Sequence, residues 1–188
     1  MKICVFCSSS DAVSPAYHAA ASEMGELIGK GGHTLVFGGG RVGLMGSVAR
    51  AAHAGGARVI GVLPRFMNRA GVAYPEADEL TLTEGMRERK ALMMEISEAF
   101  VALPGGFGTL EEISEVITQK QFDFLKKPLA LVNTAGFYDP LAAFFERFYA
   151  ERFAKPDFRS VCAFVRTPAE AMGYIGDFRP PAPVRKWC

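Results

Sequence analysis

The stretch His33-Thr-Leu-Val-Phe-Gly-Gly-Gly-Arg-Val-Gly-Leu-Met-Gly46 decides the fold. Its first part, His33 to Phe37, is a short apolar run that reads as a buried strand. A glycine-rich turn follows, and then a helical pattern over roughly 43–54, closed by Gly55-Gly56. A strand that feeds a helix through such a turn is the opening of a βαβ unit.

Working outward, the alternation continues in both directions. Residues 2–7 read as a strand, and 15–30 as a helix with Pro15 in its first turn and Gly31-Gly32 as its stop. Further strands are expected at 57–63, 80–83, 99–103, 129–133 and 161–165. Helices are expected at 85–97, 109–124, 138–152 and 168–175, with a loop or short helix over 65–78. Continuously apolar strands that alternate with helices argue for a parallel sheet covered on both faces. The expectation is therefore a single α/β domain over residues 1–178, a Rossmann-like doubly wound parallel sheet with helices on both faces. Residues 179–188 form a proline-rich C-terminal tail. In such sheets ligands sit at the carboxyl ends of the strands, so the residues just after strands matter most.

The bulk composition narrows the function classes. The chain has 188 residues, 49% hydrophobic and 22% charged, enough for one full core. A net charge of +1 does not suggest a non-specific nucleic-acid binder. The first apolar run is too short for a signal peptide and no run reaches the length of a membrane span, so the default location is the cytoplasm. Of four cysteines, Cys4 and Cys7 form a C-x-x-C. Residues three apart in a strand point to opposite faces, and no second C-x-x-C completes a metal site. The pair reads as two reduced, mostly buried thiols.

Gly38, Gly40 and Gly43 match G-x-G-x-x-G. Such glycines let the backbone approach a phosphate, and the helix N-terminus favours an anion. A dinucleotide site also needs an acidic residue about 20 positions on, to hold ribose hydroxyls. Between Glu26 and Glu76 there is no Asp or Glu, only Lys30, Arg41, Arg50, Arg58, Arg65 and Arg69 among the charged residues. That counts against NAD and fits a phosphorylated ligand. No P-loop signature occurs.

The segment Leu103-Pro-Gly-Gly-Phe-Gly-Thr109 is a second glycine loop between a strand and a helix. Gly105, Gly106 and Gly108 can expose consecutive N–H groups, and Thr109 can cap the helix or donate to a phosphate. Glu111 and Glu112 sit in the first turn, where carboxylates also suit the helix dipole. On a helical wheel Leu110, Ile113, Ile117 and Phe124 share the expected core face, with Glu112 off it near the loop mouth. A carboxylate beside a phosphate cradle suits activation of water or stabilisation of a cationic sugar. In the helix before it, Arg89 interrupts an apolar stripe of Met86, Met93 and Ile96, with Lys90 alongside. A cation there either pairs with a glutamate such as Glu95 or Glu112, snorkels outward, or points into a ligand cleft.

Three segments, Gly38-Gly-Gly-Arg-Val-Gly-Leu-Met-Gly46, Met86-Arg-Glu-Arg-Lys90 and Pro104-Gly-Gly-Phe-Gly-Thr-Leu-Glu-Glu112, resemble the Lonely Guy (LOG) family. The resemblance runs from Lys2 to about Tyr149. It implies a Rossmann-like cytokinin riboside 5'-monophosphate phosphoribohydrolase, usually a homodimer, which releases an N6-modified adenine and ribose 5-phosphate by hydrolysis without metal or organic cofactor. It implies Arg89 and Glu112 as the catalytic pair. It implies substrate contacts from Lys90, from Gly105, Gly106, Phe107, Gly108, Thr109, Leu110 and Glu111, and from Ser9, Gly39 and Gly40. Thr118 matches a further binding position of the family, and on the wheel it lies away from Glu112, toward a second subunit's site. Members have often been labelled lysine decarboxylases, but the sequence offers no convincing lysine anchor for pyridoxal phosphate. Two departures stand out. The opening strand ends Cys7-Ser8-Ser9-Ser10 where the family often has Cys-Gly-Ser-Ser, and Gly71 falls where plant members carry a glutamate.

Two other readings compete with this one. A non-catalytic carrier of a phosphorylated nucleotide or molybdenum cofactor would need the glycine cradle but not the carboxylate. A dinucleotide oxidoreductase would need the missing acid.

Overall fold

Seven apolar runs pair side by side in a computed structural model that describes residues 1–69 and 71–181. They are β1 (Lys2–Phe6), β2 (Thr34–Phe37), β3 (Arg58–Pro64), β4 (Glu79–Thr83), β5 (Ala99–Ala102), β6 (Leu129–Val132) and β7 (Ala163–Val165). Every pairing is parallel, in the order β4-β3-β2-β1-β5-β6-β7. Parallel neighbours need crossovers, and six helices supply most of them: α1 (Pro15–Lys30), α2 (Gly43–Ala54), α3 (Met86–Ile96), α4 (Phe107–Gln121), α5 (Asp139–Ala150) and α6 (Pro168–Asp177).

Alternate residues of β1 point to opposite faces and divide the core in two. Ile3 and Val5 face Met24 and Ile28 of α1, Leu44 and Val48 of α2, and Ala171 and Ile175 of α6. Cys4 and Phe6 face Met93 of α3 and Ile113 and Val116 of α4, with Leu141 and Phe145 of α5 beside them. Phe6 stacks on Phe100 at 6.0 Å, and burying one such side chain contributes about 1.5–3 kcal/mol. The doubly wound α/β architecture is thus the one read from the sequence.

Topology fixes the place of the site. The chain builds β1, β2, β3 and β4 outward in one direction, then returns to place β5 on the other side of β1. The carboxyl ends of β1 and β5 therefore flank a switch point, where the loops diverge and leave a crevice.

Three local expectations change. The strand expected from 161 begins at Ala163, because Pro156–Val161 form a 3-10 turn that buries Phe158 and Val161. Helix α4 begins at Phe107 rather than 109, with extended Gly106 as its N-cap, so Thr109 lies inside the first turn and is not the cap. Its core face is Thr109, Glu112, Ile113 and Val116, whereas Leu110 and Phe124 are exposed. Of the expected tail, residues 182–188 lie outside the described residues.

Candidate active site

A cleft of about 430 Å3 opens at the switch point. Each of the central strands sends its following loop into it: Ser8, Ser9 and Ser10 after β1, Gly38 and Gly40 after β2, and Gly106, Gly108 and Thr109 after β5. The β3 side is apolar, lined by Leu63, Met67 and Val72, and Val42, Met45 and Met86 extend that lining. Among the described residues two charged side chains line the same cleft, Arg89 from α3 and Glu112 from α4.

These two charges are paired and nearly sealed, with Arg89 7% and Glu112 8% exposed. Arg89 Nη1 donates to Glu112 Oε1 at 2.9 Å, and Arg89 Nε donates to the Val62 carbonyl at 3.0 Å. The gap for the guanidinium comes from Gly38, where a β-carbon would fall 2.1 Å from Arg89 Nη2. Three separate parts of the chain thus hold one cation in one orientation. Removing either member of such a buried pair typically costs about 3–5 kcal/mol, since the other charge is left uncompensated. Burial lifts the Glu112 carboxyl above its ordinary pKa, and Arg89 pulls it part of the way back.

The α4 end of the cleft has the character of an anion cradle. Gly106 caps the helix without a side-chain bond, and the first turn carries no acid. A β-carbon on Gly106 or Gly108 would meet nothing within 4 Å, so their bareness relieves no clash and leaves open room over the helix N-terminus. Unsatisfied N–H groups and the helix dipole favour an anion there. Gly105 differs: its β-carbon would strike Thr109 Oγ1 at 2.1 Å, so this glycine makes room for the buried threonine.

Other expected contacts lie elsewhere. Lys90 forms ion pairs with Glu111 and Glu115 and does not line the cleft. Gly39 has φ +76° and packs against Leu63, while its carbonyl accepts from Tyr74 N–H. Gly105 and Leu110 line a neighbouring apolar groove of about 500 Å3 with Phe137, Leu141 and Phe144, which Gly106 and Phe107 also border. Thr118 lines a third groove with Phe145, Phe148 and Phe153, and its hydroxyl bonds the Ser114 carbonyl. Gly71 has φ +84°, a conformation in which the glutamate of plant members would be strained.

Several contributors were not among the expected site residues. Ser8 and Ser10 line the cleft beside Ser9, and the Val62 carbonyl anchors Arg89. Asp11 accepts the Gly43 N–H at 2.7 Å. Cys4, Cys7 and Cys162 are free and buried, and burial pushes the Cys4 and Cys7 thiols up, away from thiolate chemistry. Among the described residues no group of three or more His, Cys, Asp or Glu is arranged to hold a metal ion, and no helix is long and apolar enough to cross a membrane.

Fold and cleft together define a Rossmann-like α/β protein with a glycine-lined crevice at its switch point. Comparison with known proteins narrows the class. The model of a family described as "Possible lysine decarboxylase" matches residues 45–175, yet among the described residues no lysine lines the cleft. The cytokinin riboside 5'-monophosphate phosphoribohydrolase LOG of Oryza sativa subsp. japonica is 41% identical over 179 residues, covering 95% of this chain and 74% of its own. The Arabidopsis thaliana enzyme LOG3 of the same name is 38% identical over 179 residues, covering 95% and 83%. The chain belongs to the Lonely Guy family. Among solved structures, the molybdenum cofactor binding protein of Rippkaea orientalis superposes with a TM-score of 0.72 at 20% identity, over 93% of this chain and 94% of that one. The molybdenum cofactor carrier protein of Chlamydomonas reinhardtii gives 0.72 at 22%, over 93% and 95%. At those identities the likeness shows the fold alone.

Proposed function

We propose that this protein hydrolyses the N-glycosidic bond of an adenosine 5'-monophosphate, plain or N6-modified. The products are the free base, adenine or a cytokinin, and ribose 5-phosphate. The observation that carries this reading is the buried Arg89–Glu112 pair, 2.9 Å apart, in the same cleft as the open glycines of the α4 N-terminus. A phosphate carrier has no use for a desolvated carboxylate beside its cradle. A hydrolase of sugar–base bonds does.

In this reading the 5'-phosphate sits over the N–H groups that follow Gly106, with Gly108 giving it room. The ribose then lies toward Glu112, and the base toward the apolar wall of Leu63, Met67 and Val72. Methionines adapt to irregular apolar groups, so that wall suits a base with or without an N6 substituent. As the C1'–N9 bond breaks, its electron pair goes to the base and positive charge grows on the sugar. Ionised Glu112 stabilises that charge and takes a proton from the water that attacks C1'. The proton then passes to the departing base, so water is divided between sugar and base. Arg89 acts by holding Glu112 in place, and the raised pKa makes the carboxylate a better proton acceptor.

The protein works as a homodimer in the cytoplasm, without metal or organic cofactor. Supporting the dimer, α5 buries none of its residues fully and leaves Phe144 53% exposed, while Phe153 just beyond it is 78% exposed. Thr118, on the groove beside this face, then serves the partner's site, and Lys90 acts on substrate through the Glu111 side of α4.

The test is direct. The protein is incubated with AMP and with isopentenyl-AMP, and free base and ribose 5-phosphate are assayed. Base release that Glu112→Ala abolishes supports the reading. No release from either substrate overturns the enzyme, and undiminished release by the variant overturns the assigned role of Glu112.

A further inference from the structure

The apolar wall of the cleft includes Met67 and Val72, both carried by the loop that joins β3 to β4. No residue of its 3-10 turn, Arg65–Met67, is buried, and among the described residues of 65–78 Tyr74 alone is buried. Backbone bonds tie this loop to the one after β2. Arg41 N–H donates to the Val72 carbonyl at 2.9 Å and Tyr74 N–H to the Gly39 carbonyl at 2.8 Å, around a bridge between Gly40 and Ala73. Gly40 and Val72 line the same cleft.

The Tyr74 side chain ends in a relay. Its ring packs edge-on against Phe37 at 6.1 Å, and its hydroxyl lies 3.0 Å from Nδ1 of His53 in the last turn of α2. His53 Nε2 lies 2.9 Å from Asp78 Oδ2, which also accepts the Val59 N–H at 2.7 Å. That N–H, and His53 after it, hold the Asp78 carboxyl below its ordinary pKa. An ionised carboxylate can only accept, so His53 Nε2 carries a proton. In the neutral ring Nδ1 is then left to accept from the Tyr74 hydroxyl. The start of β3 thus reaches the cleft loop through three side chains.

We propose that Tyr74 is a positioning residue for the base: the Asp78–His53–Tyr74 relay seats the loop that carries Met67 and Val72, and so sets how tightly the cleft grips the base half of its nucleotide. None of the three lines the cleft, so they act through the wall and leave the cradle at α4 alone. This inference rests on the nucleotide reading given above.

The test compares two ligands that share the sugar phosphate and differ in the base, AMP as substrate and ribose 5-phosphate as inhibitor, for the wild type, Tyr74→Phe and His53→Ala. Tyr74→Phe keeps the buried ring and removes the hydroxyl. The KM for AMP should rise about fivefold, the scale of one lost hydrogen bond. The kcat and the inhibition constant of ribose 5-phosphate should stay at their wild-type values, and His53→Ala should give the same split. A merely structural role would lower the folded fraction, which reduces the apparent kcat and leaves the ratio of the two constants unchanged. A ratio unmoved by Tyr74→Phe overturns the inference and leaves the nucleotide reading standing. A wild type that neither cleaves nor binds AMP overturns the nucleotide reading and this inference with it.

Discussion

Arg89 occupies the space that a side chain on Gly38 would need: the two are separated by 2.1 Å when a β-carbon is built on the glycine. A glycine that looks like part of a phosphate loop is thus a socket for a cation from a helix about fifty positions later in the chain.

Gly38→Ala should therefore behave like a defect in Arg89. Overpacking of this kind typically costs about 1–3 kcal/mol, readable as a lowered unfolding free energy in urea. Base release from AMP should fall more than stability does, by about a hundredfold, the scale on which small misplacements of catalytic groups act. Activity near the wild-type level would mean that the guanidinium can serve from another position.

The pair itself makes a second prediction. Arg89→Ala should destabilise by about 3–5 kcal/mol, because Glu112 is left buried without a counter-charge. Arg89→Ala combined with Glu112→Gln should recover part of that loss while both remain inactive. Thermal and urea unfolding of the four proteins, as a double-mutant cycle, gives the coupling directly.

A third prediction concerns pH. Glu112 has a carboxyl raised by burial, and the proposed chemistry needs it ionised. The acid limb of kcat/KM should accordingly lie above the ordinary carboxylate pKa, with activity rising as pH increases through it. Stability runs the opposite way for this group. The folded state holds the proton more firmly than the unfolded state, so its contribution is full below the unfolded pKa. It is lost as pH rises through the folded one. Wild-type stability relative to Glu112→Gln should decline across that interval in a pH series of thermal unfolding. An increase instead would show that Arg89 outweighs burial.

Phe144→Glu probes the exposed aromatic face. A charge placed there should turn a dimer into a monomer in light scattering while leaving the far-UV circular dichroism unchanged, because Phe144 is half exposed and outside both core clusters. If the wild type is monomeric at micromolar concentration, the dimer proposal fails without any variant.

The fold was legible because its signals are local. Apolar runs punctuated by glycine and proline give the strands and stops, and α1 and α2 begin and end where caps and glycine pairs place them. The site was legible in its residue types and less so in its directions. A helical wheel put Glu112 off the core face and Leu110 on it, yet the reverse holds. The wheel ranks hydrophobicity, and here a buried ion pair overrides it. Lys90 is adjacent to Arg89 in sequence but a third of a helical turn around, which carries it to Glu111 and Glu115. Asp11 and the Val62 carbonyl could not be read at all. One is a carboxylate in a loop, the other a backbone atom, and only tertiary contact gives either a role.

The bond from Arg89 to the Val62 carbonyl has a consequence for when the protein becomes active. Val62 belongs to the first half of the sheet, whereas Glu112 arrives only after β5 has crossed to the other side of β1. A nascent chain that has built β1 to β4 and α3 holds the arginine and its anchor but not the carboxylate proposed to act with it. On the proposed role of Glu112, nucleotide cleavage begins only once β5 and α4 have docked, and recovery of activity during refolding reports that docking.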